Sequence, residues 1–540
     1  MNSDESENPG RQEPPGQCVP RLEPRNKNIS ATFDQRRPEG CAYRVWLFRL
    51  VSVVFGLSIF GLIELVCVGF GWGESQIGDD PLVGFNAIRP LFEKTADGQE
   101  FHTSPARRGY FKEVSFETIK PDDEFRIFVF GGSTVQGNPF SIETSFPTYL
   151  QIALDAADAS RNWKVVNCGG VSYASYRLLP VMRECLEYRP DLYVFCGGHN
   201  QFLEHISFED VRESAAVTAP SLSVLNHLRS FRILQRTLKG SGHQKEDLAR
   251  EAGVSRAILP AEVNTLLDQH DGMANYHRDD KLASQIAASF AGDLRSMSRL
   301  SREANVALLF VLPPFNLCDS PPFKSEFSDT TSAEVQSQII SELKQARQLA
   351  ANDLSQAIAI AQRVTAKDQR YALAWYELGQ LQLTAKDFSG AASSLRRAKD
   401  EDICPLRITT PLENGMRDVA WQESVPLIDA DELLTRRCKN GIAGDGVLVD
   451  HVHPSFRGHE DIAVAIADWM ISTGLANASN AAWKEDAVSE CRDQLSKLDD
   501  LYFLRGQRAL RSLRLWVAGR AIETPLVPRD EETEKSAESR

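Results

Sequence analysis

The sequence has few cysteines and no excess of basic charge. Ten cysteines in 540 residues are too few for a disulfide scaffold, and no two are spaced as CxxC, which argues against a structural zinc site of the usual kind. The net charge of -14 argues against a nucleic-acid partner. The GxGxxG loop of dinucleotide-binding proteins is also missing. We therefore expect neither a metal nor a cofactor.

Long apolar runs are absent too, with one exception at residues 45–72. After Arg49, about 23 residues are interrupted only by Glu64, enough for a helix to cross a ~30 Å hydrocarbon core. The run is apolar on every face, which favours a membrane span over a buried helix or a cleaved signal peptide. Basic residues precede the run and none follows before Arg89. The positive-inside bias predicts a single-pass protein anchored in the bilayer, with a cytoplasmic N-terminus and an extracytoplasmic main domain, periplasmic if bacterial.

Composition and periodicity divide the chain into segments. We predict a disordered cytoplasmic tail at 1–43, a transmembrane helix at 44–72, a lead-in segment at 73–120, an α/β domain at 121–475 interrupted by a helical insertion at 335–402, C-terminal helices at 476–524 and a disordered tail at 525–540. A polar excursion at 205–280 has no assigned role.

Five short apolar runs alternate with helical patterns in the main domain. They are FRIFVF (125–130), WKVVN (163–167), DLYVFC (191–196), NVALLFVL (305–312) and VPLIDA (425–430). Continuous rather than alternating hydrophobicity is typical of strands covered on both faces. Strand and helix alternation predicts an α/β fold, a three-layer, doubly wound, flavodoxin-like sheet of about five parallel strands. Ligands of such sheets gather at the carboxyl ends of the strands.

The insertion at 335–402 has small residues at helix-packing spacings. Gly379 and Ala391 match the tetratricopeptide helix-turn-helix pattern, and Ala357 lies one 34-residue period before Ala391. Gln382 departs from that pattern, which usually has an aromatic there. Because about three repeats are needed for independent stability, we expect this array to pack on the main domain. Whether it binds a protein partner or is a plain helical hairpin insertion stays open.

The stretch FGGSTVQGNPF (130–140) places a serine on a glycine turn after the first strand. A phosphate-binding P-loop would fit the spacing of Gly132 and Gly137, but Asn138 replaces its lysine. The hydrolase elbow GxSxG is excluded by Val135. Ser133 is therefore either a helix N-cap or a nucleophile.

Ser133 and its neighbours form the first of four short motifs, here called blocks. The other three follow at other strand ends. Asn200 comes after the third strand, where its carboxamide can donate to an oxyanion or cap a helix. Gly169 follows the second strand and offers an unobstructed amide or a simple turn. Asp450 and His453 are three residues apart, so the carboxylate can hold the imidazole in one tautomer.

A metal site is the alternative for the last block. Asp450, His451, His453 and His459 have the residue types of a zinc site. That interpretation leaves the serine, glycine and asparagine blocks without a role, whereas acyl transfer to a serine uses all four.

The four blocks, in this order, resemble the SGNH (GDSL-like) hydrolase family over roughly residues 121–475. The resemblance implies that Ser133 is the nucleophile, His453 the general base and then acid, and Asp450 the residue that orients the imidazole. It also implies an oxyanion hole made by the amides of Ser133 and Gly169 and the side chain of Asn200.

One departure stands next to the nucleophile. Gly132 occupies the position at which the family name has aspartate. That residue is neither nucleophile nor base, so the implied chemistry is unaffected.

Three functions fit the sequence. The first is a membrane-anchored extracytoplasmic serine esterase acting on a small-molecule, carbohydrate or cell-envelope O-acyl ester. The second is an O-acyltransferase with the same triad, in which an alcohol rather than water intercepts the acyl-serine. The third is a non-catalytic assembly protein that works through the tetratricopeptide-like insertion. Cys318 and Cys404, which flank that insertion, are candidates for a disulfide outside the cytoplasm.

Overall fold

A computed structural model describes residues 51, 52, 55, 58, 61–67, 90–207, 230, 272–479 and 481–520. Contacts divide the chain into two units, Met1–Phe70 and Gly71–Arg540. The predicted tails at 1–43 and 525–540 and most of the excursion at 205–280 lie outside the described residues.

The N-terminal unit is described only in part. Residues 61–67 are helical, and the rest of the predicted membrane span at 44–72 falls largely outside the described residues. Within the described residues, no helix has both the length and the apolar character needed to cross a membrane.

A small antiparallel sheet opens the second unit. Its strands are β1 (Phe92–Lys94), β2 (Glu100–Thr103) and β3 (Ser115–Glu117), in the order β1-β2-β3. The sequence predicts only a lead-in segment here, because strands of three or four residues are too short to show a period.

The central sheet has five parallel strands. They are β4 (Glu124–Gly131), β5 (Asn162–Gly169), β6 (Leu192–Cys196), β7 (Ala307–Leu312) and β8 (Leu427–Asp429). The order across the sheet is β5-β4-β6-β7-β8. Counted along the chain within this sheet, that is the flavodoxin-like order 2-1-3-4-5. The prediction of a five-stranded parallel α/β sheet is confirmed.

Helices surround the sheet and extend beyond it. They are α1 (Ser133–Gln136), α2 (Phe146–Ala157), α3 (Ser175–Cys185), α4 (Gln201–Ser207), α5 (Asp280–Glu303), α6 (Ala333–Leu349), α7 (Leu354–Lys367), α8 (Ala372–Thr384), α9 (Phe388–Asp400), α10 (Thr410–Glu423), α11 (Ala430–Thr435), α12 (Phe456–Ser472), α13 (Trp483–Ser496) and α14 (Asp500–Arg520).

The sheet is buried on both faces. Alternate residues of β4 enter different cores, with Phe128 and Phe130 on one face and Ile127 and Val129 on the other, all fully buried. This two-sided burial explains why the strand reads as an unbroken apolar run. It also holds the carboxyl end of β4 rigidly, where Ser133 follows.

Helices α6 to α9 occupy the position of the predicted insertion, between β7 and β8. A Cβ at Gly379 of α8 would lie 2.6 Å from Leu395 Cγ of α9, so this glycine allows the two helices to pack closely. Leu395 and Tyr376 belong to the same buried cluster as the sheet residues Phe128 and Phe310. Helices α8 and α9 therefore share the core of the α/β domain, whereas α6 and α7 bury their apolar residues in a separate cluster with α8.

A buried ion pair also joins the insertion to the body. Lys399 Nζ at the end of α9 lies 2.7 Å from Glu413 Oε1 of α10 and donates to the Ile408 carbonyl, also at 2.7 Å. The flanking Cys318 and Cys404 are not bonded to each other, so the disulfide considered from the sequence is not formed.

The last helix, α14, contacts two loops of the domain, one at Thr144 and the other at Val449. Tyr502 of α14 hydrogen-bonds with Thr144 at 2.7 Å. Arg514 donates from Nη2 to the Val449 carbonyl at 2.9 Å. Val449 immediately precedes Asp450, so this helix contacts the loop that carries two of the predicted site residues.

Candidate active site

Ser133 is the first residue of α1, directly beyond β4. Gly132 is extended and precedes the helix, and Gly137 ends it in the left-handed conformation with φ 95°. The helix is only four residues long. As the first residue of a helix, Ser133 has a backbone N–H with no acceptor inside that helix.

The structure brings Ser133, His453 and Asp450 together in a hydrogen-bonded row. His453 Nε2 lies 2.8 Å from Ser133 Oγ, although 320 residues separate the two in sequence. His453 Nδ1 lies 2.6 Å from Asp450 Oδ2. The second carboxylate oxygen, Oδ1, accepts the backbone N–H groups of Val452 and His453, both at 2.9 Å.

The loop that carries Asp450 and His453 is a closed turn. Val449 N donates to the His453 carbonyl at 2.8 Å, and Leu448 and Pro454 form an isolated β-bridge. Thr134, next to Ser133, donates from Oγ1 to the Val452 carbonyl at 3.4 Å. These bonds fix the imidazole relative to α1.

The environment of Asp450 keeps its carboxylate ionised. Burial alone would raise the pKa of Asp450, but the charge of His453, its hydrogen bond and the nearby His451 outweigh that effect. The pKa of Asp450 therefore lies well below its usual range. An ionised partner at Nδ1 leaves Nε2 of His453 as the proton acceptor toward the serine.

Asn200 lies on the other side of Ser133. A Cβ at Gly132 would be 2.6 Å from Asn200 Nδ2, so the side-chain amide lies against the glycine that precedes the serine. Asn200 Nδ2 donates one hydrogen to the Tyr173 carbonyl at 3.2 Å. A carboxamide nitrogen carries two hydrogens, so one remains for a ligand.

Gly169, predicted to supply an oxyanion amide, lies at the end of β5. Its backbone N–H donates to Asn167 Oδ1 at 2.9 Å. Gly169 also allows close packing, since a Cβ there would lie 2.8 Å from Gln136 Cα of α1.

The following turn supplies another amide. Ser172 has a positive φ of 63°, and its N–H has no acceptor among the described residues. Tyr173 of the same turn accepts a hydrogen bond from Asn200 Nδ2, so the turn lies beside the asparagine.

Gln136 is a second residue that the sequence analysis missed. It is buried, and its Nε2 donates to the carbonyls of Gly169 at 3.0 Å and Tyr110 at 2.7 Å. Tyr110 lies between the short helical turn Pro105–Arg107 and β3. Gln136 thus ties the serine helix to the β5 end and to the small sheet.

The histidines considered as alternative metal ligands have different partners and lie in different surroundings. His459 Nδ1 accepts the Phe146 N–H at 3.2 Å, which places it in the packing of α12 against α2. His451 stays beside the triad, with Nδ1 3.6 Å from Asp450 Oδ1. In the part of the chain that the structure describes, no group of three or more His, Cys, Asp or Glu residues has an arrangement suited to a metal.

The fold and the site together define an α/β protein with a Ser-His-Asp constellation at the topological switch point of its sheet. The crevice of such a sheet lies where the strand order reverses, between the first and third strands. Here those strands are β4 and β6, and they lead to Ser133 and Asn200 respectively.

Comparison with known proteins gives matches in structure only. No protein-family model matches the sequence, and no curated protein matches it. A member of the G-D-S-L lipolytic family from Desulfitobacterium hafniense aligns at 10% identity and TM-score 0.27, over 64% of this chain and 98% of its own. A lipase/acylhydrolase from Enterococcus faecalis aligns at 11% identity and TM-score 0.28, over 66% of this chain and 100% of its own.

A third structure is of the same kind. LAE5, an α/β hydrolase from the metagenome of Lake Arreo in Spain, aligns at 12% identity and TM-score 0.30, over 66% of this chain and 97% of its own. At these identities and scores the likeness carries no information about the chemistry of this chain.

Proposed function

We propose that the protein is a serine esterase of the SGNH type that hydrolyses O-acyl esters through an acyl-serine intermediate. The observation that carries the proposal is the contact of 2.8 Å between His453 Nε2 and Ser133 Oγ, with Asp450 on the opposite ring nitrogen. A free serine hydroxyl is a poor nucleophile at neutral pH, and an adjacent oriented imidazole is what activates it.

The acylation step follows from these positions. Ser133 Oγ attacks the ester carbonyl carbon while His453 Nε2 takes the hydroxyl proton. The negative charge that forms on the carbonyl oxygen is stabilised by hydrogen-bond donors, for which the Ser133 N–H, the Ser172 N–H and Asn200 Nδ2 are the candidates. The tetrahedral intermediate then breaks its bond to the alcohol oxygen, which receives the proton from His453.

Hydrolysis reverses the roles with water as the nucleophile. A water molecule gives a proton to His453 and attacks the acyl carbon. The intermediate expels Ser133 Oγ, which takes the proton back, and the carboxylic acid leaves. Asp450 stays ionised throughout and stabilises the transient imidazolium.

The catalytic test uses the full-length protein in detergent. Ser133→Ala should lower kcat for p-nitrophenyl acetate by about 10³-fold or more, whereas Ser284→Ala, at an exposed helix position, should leave it within twofold. A fluorophosphonate probe should label the wild-type protein at Ser133 and should not label Ser133→Ala. Equal turnover by the wild type and Ser133→Ala would remove the proposal.

The location belongs to the same proposal. The apolar run at 45–72 supports a single membrane span, and the basic residues before it support an extracytoplasmic catalytic domain. Protease added outside intact spheroplasts should degrade the domain after residue 73, and alkaline carbonate should leave the protein in the membrane fraction. A protected domain or release by carbonate would contradict this placement.

A further inference from the structure

Asn200 and Glu204 are one helical turn apart at the start of α4. The Glu204 N–H donates to the Asn200 carbonyl at 3.2 Å, which is the first backbone bond of that turn. Residues four apart are neighbours on the surface of a helix, so the two side chains can reach the same structure. That structure is the turn between β5 and α3, which contains Ser172 and Tyr173.

Both side chains bind the same peptide group, the one that links Tyr173 to Ala174. Its carbonyl oxygen accepts a hydrogen from Asn200 Nδ2 at 3.2 Å. Its N–H donates to Glu204 Oε1 at 3.1 Å. A peptide group is planar and rigid, so it is a fixed spacer between the carboxylate and the carboxamide. The position of Glu204 therefore determines where the carbonyl that holds the Asn200 amide lies.

The second hydrogen of Asn200 Nδ2 is oriented by this arrangement. A carboxylate that accepts the N–H of a peptide group polarises it, and its carbonyl oxygen becomes a better acceptor. Because one amide hydrogen is held on the Tyr173 carbonyl, the planar carboxamide leaves a single direction for the other. A donor to an oxyanion must be oriented before the charge develops, since such donors act by being preorganised.

Glu204 is itself held by donors from α3. Its Oε2 accepts a hydrogen bond from Arg177 Nε at 2.5 Å and another from the Tyr176 hydroxyl. Glu204 is fully buried, and Arg177 and Tyr176 are buried as well. The carboxylate is thus fixed from two sides, by the peptide group on Oε1 and by two side chains on Oε2.

The contact with Arg177 also compensates the charge of Glu204. A lone carboxylate near the oxyanion site would oppose the negative charge that develops on the substrate carbonyl oxygen. The guanidinium nitrogen lies 2.5 Å from the carboxylate, so the two groups form a buried ion pair. A pair of opposite charges presents much less net charge to the site than the carboxylate alone.

We infer that Glu204 is a positioning residue for the oxyanion donor Asn200 and acts through the peptide group between Tyr173 and Ala174. This inference rests on the proposed esterase function, in which Asn200 Nδ2 stabilises the charge on the carbonyl oxygen. Glu204 is fully buried and does not touch the substrate. Its loss should lower kcat with little change in KM, because the amide that it orients acts on charge formed in the transition state.

The test compares Glu204→Gln in two backgrounds of the full-length protein, with p-nitrophenyl acetate as substrate. Glutamine has the shape of glutamate, but its amide cannot accept hydrogen bonds from Ala174 on one side and from Arg177 on the other. In the wild type it should lower kcat about tenfold and leave KM within about twofold. In the Asn200→Ala background it should change kcat by less than about twofold, since the group that Glu204 orients is absent.

Glu184→Gln is the matched control for the loss of a buried carboxylate. Glu184 lies near the other end of α3 and accepts the backbone N–H groups of Leu91 and Phe92 at 2.9 and 3.1 Å. Its replacement should lower the melting temperature and leave kcat within about twofold. A loss of kcat equal to that of Glu204→Gln would show that any buried carboxylate has this effect, and would overturn the inference.

The two backgrounds separate positioning from a structural role. Equal losses of kcat in the wild type and in Asn200→Ala, or no loss in either, would overturn the role of Glu204 and leave the esterase proposal standing. Activity that survives Ser133→Ala would instead overturn the esterase proposal and this inference with it. If Glu204→Gln does not fold, Glu204→Asp decides by the same comparison, because it keeps the charge for Arg177 and is one methylene too short to reach Ala174 as well.

Discussion

Gly132 and Asn200 are in contact at the end of two neighbouring strands, and the contact leaves no room for a side chain at position 132. A Cβ there would lie 2.6 Å from Asn200 Nδ2. Gly132, which stands where the G-D-S-L pattern has aspartate, therefore leaves the space that the Asn200 side chain occupies. An aspartate side chain at 132 would need Asn200 to move.

Gly132→Ala should damage catalysis through Asn200. Displacing one oxyanion donor typically costs on the order of 3 kcal/mol of transition-state stabilisation, so we expect kcat to fall about 10²-fold with a smaller change in KM. Steady-state kinetics with p-nitrophenyl acetate measures this. Gly292→Ala is the matched control, because a Cβ there meets no atom within 4 Å.

A double mutant tests whether Gly132→Ala lowers kcat by displacing Asn200. If Gly132→Ala acts by moving Asn200, then Gly132→Ala with Asn200→Ala should be no slower than Asn200→Ala alone. Additive losses would mean that the methyl group harms the serine directly and that the asparagine is not involved.

Asp450→Asn should lower kcat by about 10³ to 10⁴-fold with little loss of stability. The amide oxygen can still accept the N–H groups of Val452 and His453, but an amide nitrogen facing His453 Nδ1 favours the wrong tautomer. Kinetics and a thermal melt of the same sample check both parts. A variant that melts far below the wild type would show that the carboxylate is mainly structural.

Asp431 should make stability depend on pH. Burial raises the pKa of Asp431 to about 7, and the neighbouring Glu413 and Asp429 add to the shift. Its unfolded value is near 3.9. The stability that the protonated carboxyl contributes is therefore fully present below about pH 4 and is lost as the pH rises to about 7.

Asp431→Asn removes that loss. The variant should gain about 1.5 kcal/mol at pH 5 and up to about 4 kcal/mol at pH 8 in the free energy of unfolding, measured by urea denaturation. The exposed Asp418→Asn serves as the control at both pH values. A gain that is the same at pH 5 and pH 8 would contradict the assignment.

Gly379→Ala should destabilise the protein. The added methyl group would lie 2.6 Å from Leu395 Cγ, and overpacking of this kind typically costs 1–3 kcal/mol. Gly415→Ala in α10 is the matched control, since its Cβ meets only Ala291 at 3.9 Å, and it should be neutral or slightly stabilising.

The shape of the unfolding curve adds a second test. Because Leu395 shares a core with the sheet, Gly379→Ala should shift the main unfolding transition of the domain. A separate early transition, with the main one unchanged, would mean that the insertion folds as an independent module.

The sheet could be predicted because its strands are buried on both faces. Such strands appear in the sequence as unbroken apolar runs, for example FRIFVF. The meeting of Ser133 and His453 could be predicted because carboxyl ends of parallel strands share one edge. The hydrogen bond of the Gly169 amide could not be predicted, since it depends on where the Asn167 side chain points. The strands β1 to β3 were missed because each is too short to show a pattern.

The shared core of the insertion has a practical consequence for anyone seeking a binding partner. Excising helices α6 to α9 would remove Tyr376 and Leu395 from the buried cluster that they share with the sheet, and would remove Lys399 from the ring of Phe315. A failed pull-down with such a deletion would therefore report misfolding. Charged replacements at the solvent-facing Ile340 and Phe388, which are 54% and 40% exposed, leave the interior intact. Those two positions are where recognition by another protein is best probed.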